Sequence, residues 1–312
     1  MICTNRGQKI LILGAVVAAA IMISTILYLP AQQVGEKKVK VVATFYPLAF
    51  FTEEIGGQYV SVTQLIPNNT DTHSWEPSVS HIAACADADI IIYNGAGLDH
   101  WMGEVVIPAL ADVESKILVN TTNGISLLGS QDADEPGFDP HTWVCPFFAK
   151  QQAQRIFEAF VQKDPAHESY YTERWNGLRT QLENMDSFYI QGIANRTKNV
   201  IFVVHATAGY LAGRYGFEQC SVIGMSEDQQ PSALAIANLV DLMIEHETYV
   251  FYVTPLYAQE YAPTIKTELE SRAGQPVQIL TLYHMDGPAS GKDYFAQMQA
   301  NLENLKRGLG AS

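Results

Sequence analysis

The chain has 312 residues, of which 47% are hydrophobic and 17% are charged. This length can bury about two ordinary domain cores, and the composition excludes a disordered or low-complexity protein. The 19 basic and 33 acidic residues give a net charge of −14. This charge disfavours nucleic acids and anionic membrane surfaces as partners, because both select clustered Lys and Arg. It favours a cation as the ligand.

The first predicted element is an apolar segment at 10–29, preceded by Arg6 and Lys9. A segment of about 20 residues can just span a bilayer, and basic residues on its amino side leave the rest of the chain outside the cytoplasm. A cleaved signal peptide and a retained anchor both remain open, and the length favours the anchor. Residues 1–38 are therefore predicted to be a membrane anchor or signal segment with a linker. The protein is expected to be extracytoplasmic, at the cell surface or in the periplasm, and anchored to the membrane.

After residue 38 the sequence alternates between short β-rich runs and helical stretches. Strands are predicted at 39–45, 60–66, 90–93 and 117–120, and helices at 48–55, 78–86 and 101–111. This order is typical of a parallel sheet covered by helices, because parallel neighbours need a crossover connection. We predict that 39–165 forms a first α/β lobe.

A long helix is predicted at 167–193, where apolar and aromatic residues recur at three- and four-residue spacing, at Tyr170, Tyr171, Trp175, Leu178, Leu182, Met185 and Phe188. Its length, about 27 residues or about 40 Å, favours a rigid connection between two lobes over an ordinary surface helix. A second α/β unit follows, with strands at 200–204, 221–223, 249–253 and 277–282 and helices at 210–215, 232–246, 263–273 and 292–309. We therefore predict a linking helix at 166–195 and a second lobe with its own parallel sheet at 196–312.

Three histidines lie in separate polar turns that are far apart in sequence, at His73, His141 and His205. His205 ends a predicted strand, the position at which open α/β sheets bind ligands. A late acid, Asp286, follows in His-Met-Asp-Gly-Pro. Three imidazoles and one carboxylate form a closed four-coordinate shell for a borderline metal such as zinc. The sequence therefore predicts a protein that holds a metal ion without reacting on it, which is not an enzyme.

Other side chains leave alternatives open around this site. Each histidine taken alone has an ordinary alternative as a packing or surface residue, and His284 is an alternative to Asp286 as fourth ligand. Glu76 is the only acid near a predicted ligand that could serve a metal-dependent hydrolase as base. Its Glu-Pro setting fits better with support of a ligand, and no His-Glu-x-x-His spacing is present.

The cysteines of an exported protein raise the question of a disulfide. One pair among Cys85, Cys145 and Cys220 is open, and the sequence does not decide the pairing. Cys145 lies four residues after His141, but we interpret it as a small packed residue and not as a ligand.

Several short motifs carry a resemblance to a known family. They are Thr-Phe-Tyr-Pro-Leu at 44–48, Ile-Gly-Gly at 55–57, Asp-Thr-His-Ser-Trp-Glu-Pro-Ser at 71–78, Asp-Pro-His-Thr-Trp at 139–143, His-Ala-Thr-Ala-Gly-Tyr at 205–210, Tyr-Gly at 215–216, Glu-Asp-Gln-Gln-Pro-Ser at 227–232 and Asn-Leu-Glu-Asn-Leu at 301–305. With these motifs, residues 39–309 resemble the metal-binding subunits of ABC importers, the zinc and manganese receptors.

The resemblance implies two α/β lobes joined by one long helix, with a metal ion enclosed between them. It implies His73 and His141 as ligands from the first lobe, and His205 and Asp286 from the second. It also implies high-affinity capture of a divalent transition metal outside the cytoplasm and delivery to an ABC permease and its ATPase.

The choice of metal follows from the ligand set. Family sites with three histidines and one carboxylate resemble zinc sites, whereas a carboxylate in place of the third histidine suits manganese. His205 therefore favours Zn²⁺, with Mn²⁺ or Fe²⁺ as alternatives. The histidine-rich loop of many zinc members is absent, and an acidic segment at 130–135 stands in its place. A surface adhesin with a structural metal would share all of these residues and also stays open.

Overall fold

The computed structural model describes residues 37–130, 137–223, 231–255 and 262–311. Contacts divide the chain into Met1–Lys37 and Lys38–Ser312, and the fold below is that of the second unit. The predicted apolar segment at 10–29 lies outside the described residues. Within the described ranges, no helix is both long enough and apolar enough to cross a membrane.

The first sheet has four parallel strands in the order β2-β1-β3-β4. They are β1 (Val39–Ala43), β2 (Val60–Gln64), β3 (Ile90–Tyr93) and β4 (Ile117–Asn120). The intervening helices are α1 (Tyr46–Gly56), α2 (Val79–Asp87) and α3 (Ile107–Ala109), the last of which continues a π-helical turn at Met102–Val106. The helices cross over the sheet, as parallel neighbours require.

Two helices follow the first sheet, α4 (Pro146–Lys163) and α5 (Glu168–Gly192). Helix α5 has 25 residues and is therefore about 37 Å long. Its buried side chains follow alternating spacings of four and three residues, at Tyr171, Trp175, Leu178, Leu182, Met185 and Tyr189. We expected Phe188 on this face, but it is 55% exposed, because Tyr189 and not Phe188 continues that spacing.

The second sheet is also parallel, in the order β6-β5-β7-β8. Its strands are β5 (Val200–His205), β6 (Glu218–Ile223), β7 (Val250–Val253) and β8 (Gln278–Thr281). Its helices are α6 (Gly209–Tyr215), α7 (Ala233–Glu245), α8 (Ala262–Ala273) and α9 (Tyr294–Leu309). All six residues of β5 are buried, which is typical of a central parallel strand with both faces covered.

The long helix packs into a core that both sheets share. One apolar cluster contains Ile91 of β3, Leu182 of α5 and Ile201 of β5. A second cluster contains Phe202 of β5 with residues of α7 and α8. Because adjacent strand residues point to opposite faces, β5 faces the shared core on one side and α7 and α8 on the other. Strand β5 is therefore covered on both faces.

The predicted fold class is confirmed: two α/β lobes, each with a parallel sheet, and one long helix. The predicted bounds of β3 and β4 are those observed, whereas the strand predicted at 39–45 ends at Ala43 because α1 already begins at Tyr46. The lobe boundaries at 39–165, 166–195 and 196–312 stay a prediction.

Candidate metal centre

His73, His141 and His205 come together at one point, and one ligand nitrogen of each lies within 4.8 Å of the others. The Nε2 atoms of His73 and His141 are 3.1 Å apart. In a tetrahedral site with metal–nitrogen distances of about 2.1 Å, two ligand nitrogens are about 3.4 Å apart. The three imidazoles therefore have a spacing at which they can share one ion.

Each of the three histidines lies where a strand has ended. His205 is the last residue of β5. His73 lies in the loop after β2, and His141 lies in the connection from β4 to α4. The carboxyl ends of parallel strands form the edge of the sheet at which open α/β folds bind ligands. Residues far apart in sequence meet here because each sheet brings its strand ends to one edge.

His73 and His141 lie in two separate turns of the same type. The backbone N–H of His73 donates to Asp71 Oδ1 at 2.9 Å, and that of His141 donates to Asp139 Oδ1 at 2.9 Å. In both loops an Asp side chain accepts from the backbone two residues later, which is a favoured turn for this residue. The Asp-x-His spacing is visible twice in the sequence, but no role was predicted for either Asp.

Asp139 also orients the His141 ring. Its Oδ1 lies 2.8 Å from His141 Nδ1, so a proton held on Nδ1 leaves Nε2 to face the other imidazoles, an arrangement common to metal-binding histidines. Burial raises the pKa of Asp139 to about 7, and the hydrogen bond from the His141 backbone lowers it. Burial, with the neighbouring imidazoles of His205, His73 and His284 in addition, holds the pKa of His141 well below its usual range. His141 is therefore neutral at pH 7, the form that binds a metal.

This shift predicts how the metal-free protein responds to acid. Between the lowered pKa of folded His141 and the ordinary value near 6.5, the unfolded state binds more protons at this residue than the folded state does, so the contribution of His141 to stability falls as pH falls below about 6.5. We expect urea unfolding to show a larger loss of stability from about pH 7.5 to about pH 5.5 in the wild type than in His141→Gln. Equal losses of stability in the two proteins would contradict the lowered pKa of His141.

The loop with Asp286 lies against the loops of the first lobe. The backbone N–H of Asn69 donates to Asp286 O at 2.9 Å, and Trp143 Nε1 donates to His284 O at 2.7 Å. The His284 ring centroid is 5.3 Å from that of His205. This loop therefore lies beside the site, but among the described residues the group of ligand atoms within 4.8 Å of one another contains neither Asp286 nor His284, and Asp286 as the fourth ligand stays a prediction.

The remaining sequence candidates lie elsewhere. Glu76, which we interpreted as support for a ligand or as the base of a hydrolase, is instead 3.5 Å from His100 Nε2, and both side chains are largely exposed. Cys85, Cys145 and Cys220 are free thiols, so no disulfide forms among these described cysteines. Cys145 is fully buried, and burial raises the pKa of its thiol to about 12, as expected for a packed residue that is not a ligand.

Comparison with known sequences gives consistent matches over most of the chain. A family model described as "Zinc-uptake complex component A periplasmic" matches residues 41–308. The high-affinity zinc uptake system protein ZnuA of Bacillus subtilis (strain 168) is 29% identical over 286 residues, which cover 87% of the chain and 88% of that protein. The zinc-binding lipoprotein AdcA of Streptococcus pneumoniae is 28% identical, and the match covers 88% of the chain and 57% of AdcA.

Solved structures share the fold. The Zn(II)-bound ZnuA-like domain of Streptococcus pneumoniae AdcA superposes with a TM-score of 0.74 at 25% identity, covering 87% of the chain and 99% of that domain. The laminin-binding protein Lmb of Streptococcus agalactiae, described as bifunctional with adhesin and metal transporting activity, has a TM-score of 0.77 at 28% identity, covering 88% of the chain and 100% of Lmb. The similarity therefore extends over both sheets and the long helix.

Proposed function

Since the chain belongs to the zinc-uptake component A family, we propose that it captures a zinc ion with high affinity outside the cytoplasm and delivers it to an ABC permease. The observation that carries the proposal is the group of three imidazole nitrogens within 4.8 Å of one another. His73 and His141 follow strands of the first sheet and His205 ends a strand of the second, so the ion would be held between the lobes.

We propose His73, His141, His205 and Asp286 as the zinc ligands. Neutral imidazole is a donor that suits zinc, and a carboxylate both completes four-coordination and offsets half of the ion's charge. The three histidines favour Zn²⁺ over Mn²⁺ or Fe²⁺, because harder metals prefer more oxygen donors. The likeness to a Zn(II)-bound domain at 25% identity supports the same choice.

The protein belongs to a family of receptors and is not an enzyme. A zinc hydrolase keeps one coordination position open for water and places a base beside it. The proposed ligand set fills all four positions, and Glu76 lies in a largely exposed pair with His100. The site is therefore suited to holding an ion and releasing it when the shell opens.

The partners that follow from this role are a divalent metal ion, the permease and its ATPase. We propose in addition that the segment at 10–29 attaches the protein to the membrane, which its length and its flanking Arg6 and Lys9 support. Attachment would keep the receptor beside the permease.

A second role as an adhesin has one observation in its favour, the likeness to Lmb over 88% of the chain. An adhesin with a structural metal would need the same metal ligands as zinc capture does. Binding of the full chain to immobilised laminin, with and without zinc, tests it directly. No binding in either condition would leave zinc capture as the single role.

The central experiment is metal analysis of the full chain purified without added metal. We expect about one equivalent of zinc per chain, as a single four-coordinate site requires. The metal-free protein should be stabilised by about 4 kcal/mol when free zinc is about 1,000 times the Kd. The variant in which His73, His141 and His205 are all Ala serves as the control without a site. Absence of bound metal, together with no thermal shift on adding zinc, manganese or iron, would refute the proposal.

A further inference from the structure

His284 connects the loop between β8 and α9 to the segment that follows His205. Its Nε2 lies 2.6 Å from the Oγ1 of Thr207, which is two residues beyond His205. His284 and Thr207 are 4% and 1% exposed. A short hydrogen bond between two buried groups holds the two segments in one relative position.

The backbone of the same residue reaches the first lobe. The carbonyl of His284 accepts a hydrogen bond of 2.7 Å from Trp143 Nε1, and Trp143 is two residues beyond His141. The ring of Trp143 is buried and lies 5.2 Å from that of His141. One residue is thus bonded, by side chain and by backbone, to the segments that follow two of the proposed ligands.

The loop around His284 is held at nearly every carbonyl. Tyr283 O accepts from Asn301 Nδ2 at 2.8 Å, Asp286 O from the backbone of Asn69 at 2.9 Å, and Gly287 O from Gln297 Nε2 at 2.8 Å. Between His284 and Asp286, the fully buried Met285 has a φ of 60°. A residue other than glycine holds such a conformation only when its surroundings impose it. The loop therefore has one defined shape.

We propose that His284 is a positioning residue and not a zinc ligand, and that its bond to Thr207 holds Asp286 in place relative to His205. This inference rests on the proposed zinc-binding function. Coordination through Nε2 would give up the 2.6 Å bond to Thr207, whereas coordination by the Asp286 carboxylate does not use that nitrogen. Residues that hold metal ligands by hydrogen bonds typically affect metal affinity by about 10–100-fold.

The test compares zinc affinities of the full chain and its variants by competition with a chelating dye. We expect Thr207→Val and His284→Ala each to weaken zinc binding by about tenfold. The double variant should be no weaker than the weaker single variant, because both changes remove one and the same bond. Thr207→Ser keeps the hydroxyl and should bind zinc as the wild type does.

Cobalt(II) in place of zinc separates positioning from ligation, since its visible absorption reports the number and type of ligands. We expect the cobalt spectrum of Thr207→Val and of His284→Ala to match that of the wild type, and the spectrum of Asp286→Ala to differ. A changed spectrum in His284→Ala with wild-type affinity in Thr207→Val would overturn the proposal. Additive losses in the double variant would overturn it as well.

Two further measurements keep the result interpretable. Thermal unfolding of each metal-free variant shows whether it is folded before the metal is added. If the wild type itself binds no zinc, the proposed function fails. If the wild type binds zinc and Thr207→Val binds it equally well, the inference about His284 fails alone.

Discussion

Replacing His73, His141 or His205 singly by Ala is expected to weaken zinc binding by more than about tenfold, because water is a poor substitute for an imidazole in a closed four-coordinate shell. The loss should be largest for His141, which is 1% exposed and whose Nδ1 is held by Asp139 at 2.8 Å. Competition titration with a chelating dye measures the three affinities under identical conditions.

The three variants differ in how much they disturb the fold. His73 is only half-buried, so His73→Ala costs the least packing and is the cleanest of the three. His141→Ala leaves the buried Asp139 carboxyl without its 2.8 Å partner on the His141 ring, and its thermal unfolding has to be measured alongside. His246→Ala, at an exposed position, is the matched control and should bind zinc as the wild type does. Unchanged tight binding in all three ligand variants would refute the site.

Asp286→Ala is expected to weaken zinc binding by more than about tenfold and by more than His284→Ala does. Three neutral imidazoles leave the ion with its full double charge, and only the carboxylate offsets part of it. Calorimetry at about pH 7.5 and about pH 6 measures both variants. The wild type should bind more weakly at the lower pH, because protons compete for the imidazole nitrogens.

The control for the lost charge is Asp293→Asn. Asp293 caps α9 by accepting from the backbone N–H of Ala296 at 2.8 Å, and Asn caps a helix equally well. This variant removes one negative charge from the same connection without removing the proposed ligand. A larger loss in His284→Ala than in Asp286→Ala would move the fourth ligand to His284. Negligible losses in both would mean that the shell is closed by water or by another acid.

The sequence by itself determined the two-lobed architecture. The short apolar runs of β1, β3 and β5 and the four- and three-residue spacing along α5, which follows the 3.6-residue period of a helix, are local patterns that depend only on neighbours in the chain. The residue types of the candidate site could also be predicted, because histidines at strand ends are local features. Phe188 shows the limit of this reasoning, since a one-residue error in periodicity exchanged it for Tyr189.

Only the tertiary structure decided which side chains meet. His73 and His141 are 68 residues apart in the chain with their Nε2 atoms at 3.1 Å, and Trp143 and His284 are bonded across 141 residues. It also pairs Glu76 with His100, a contact that the sequence did not predict. Such contacts depend on strand order and on how each loop turns after its strand, and no local periodicity encodes either. The bond of Asp139 to the His141 ring and the bonds of His284 to Thr207 and Trp143 therefore emerged from the folded molecule and not from the pattern of the sequence.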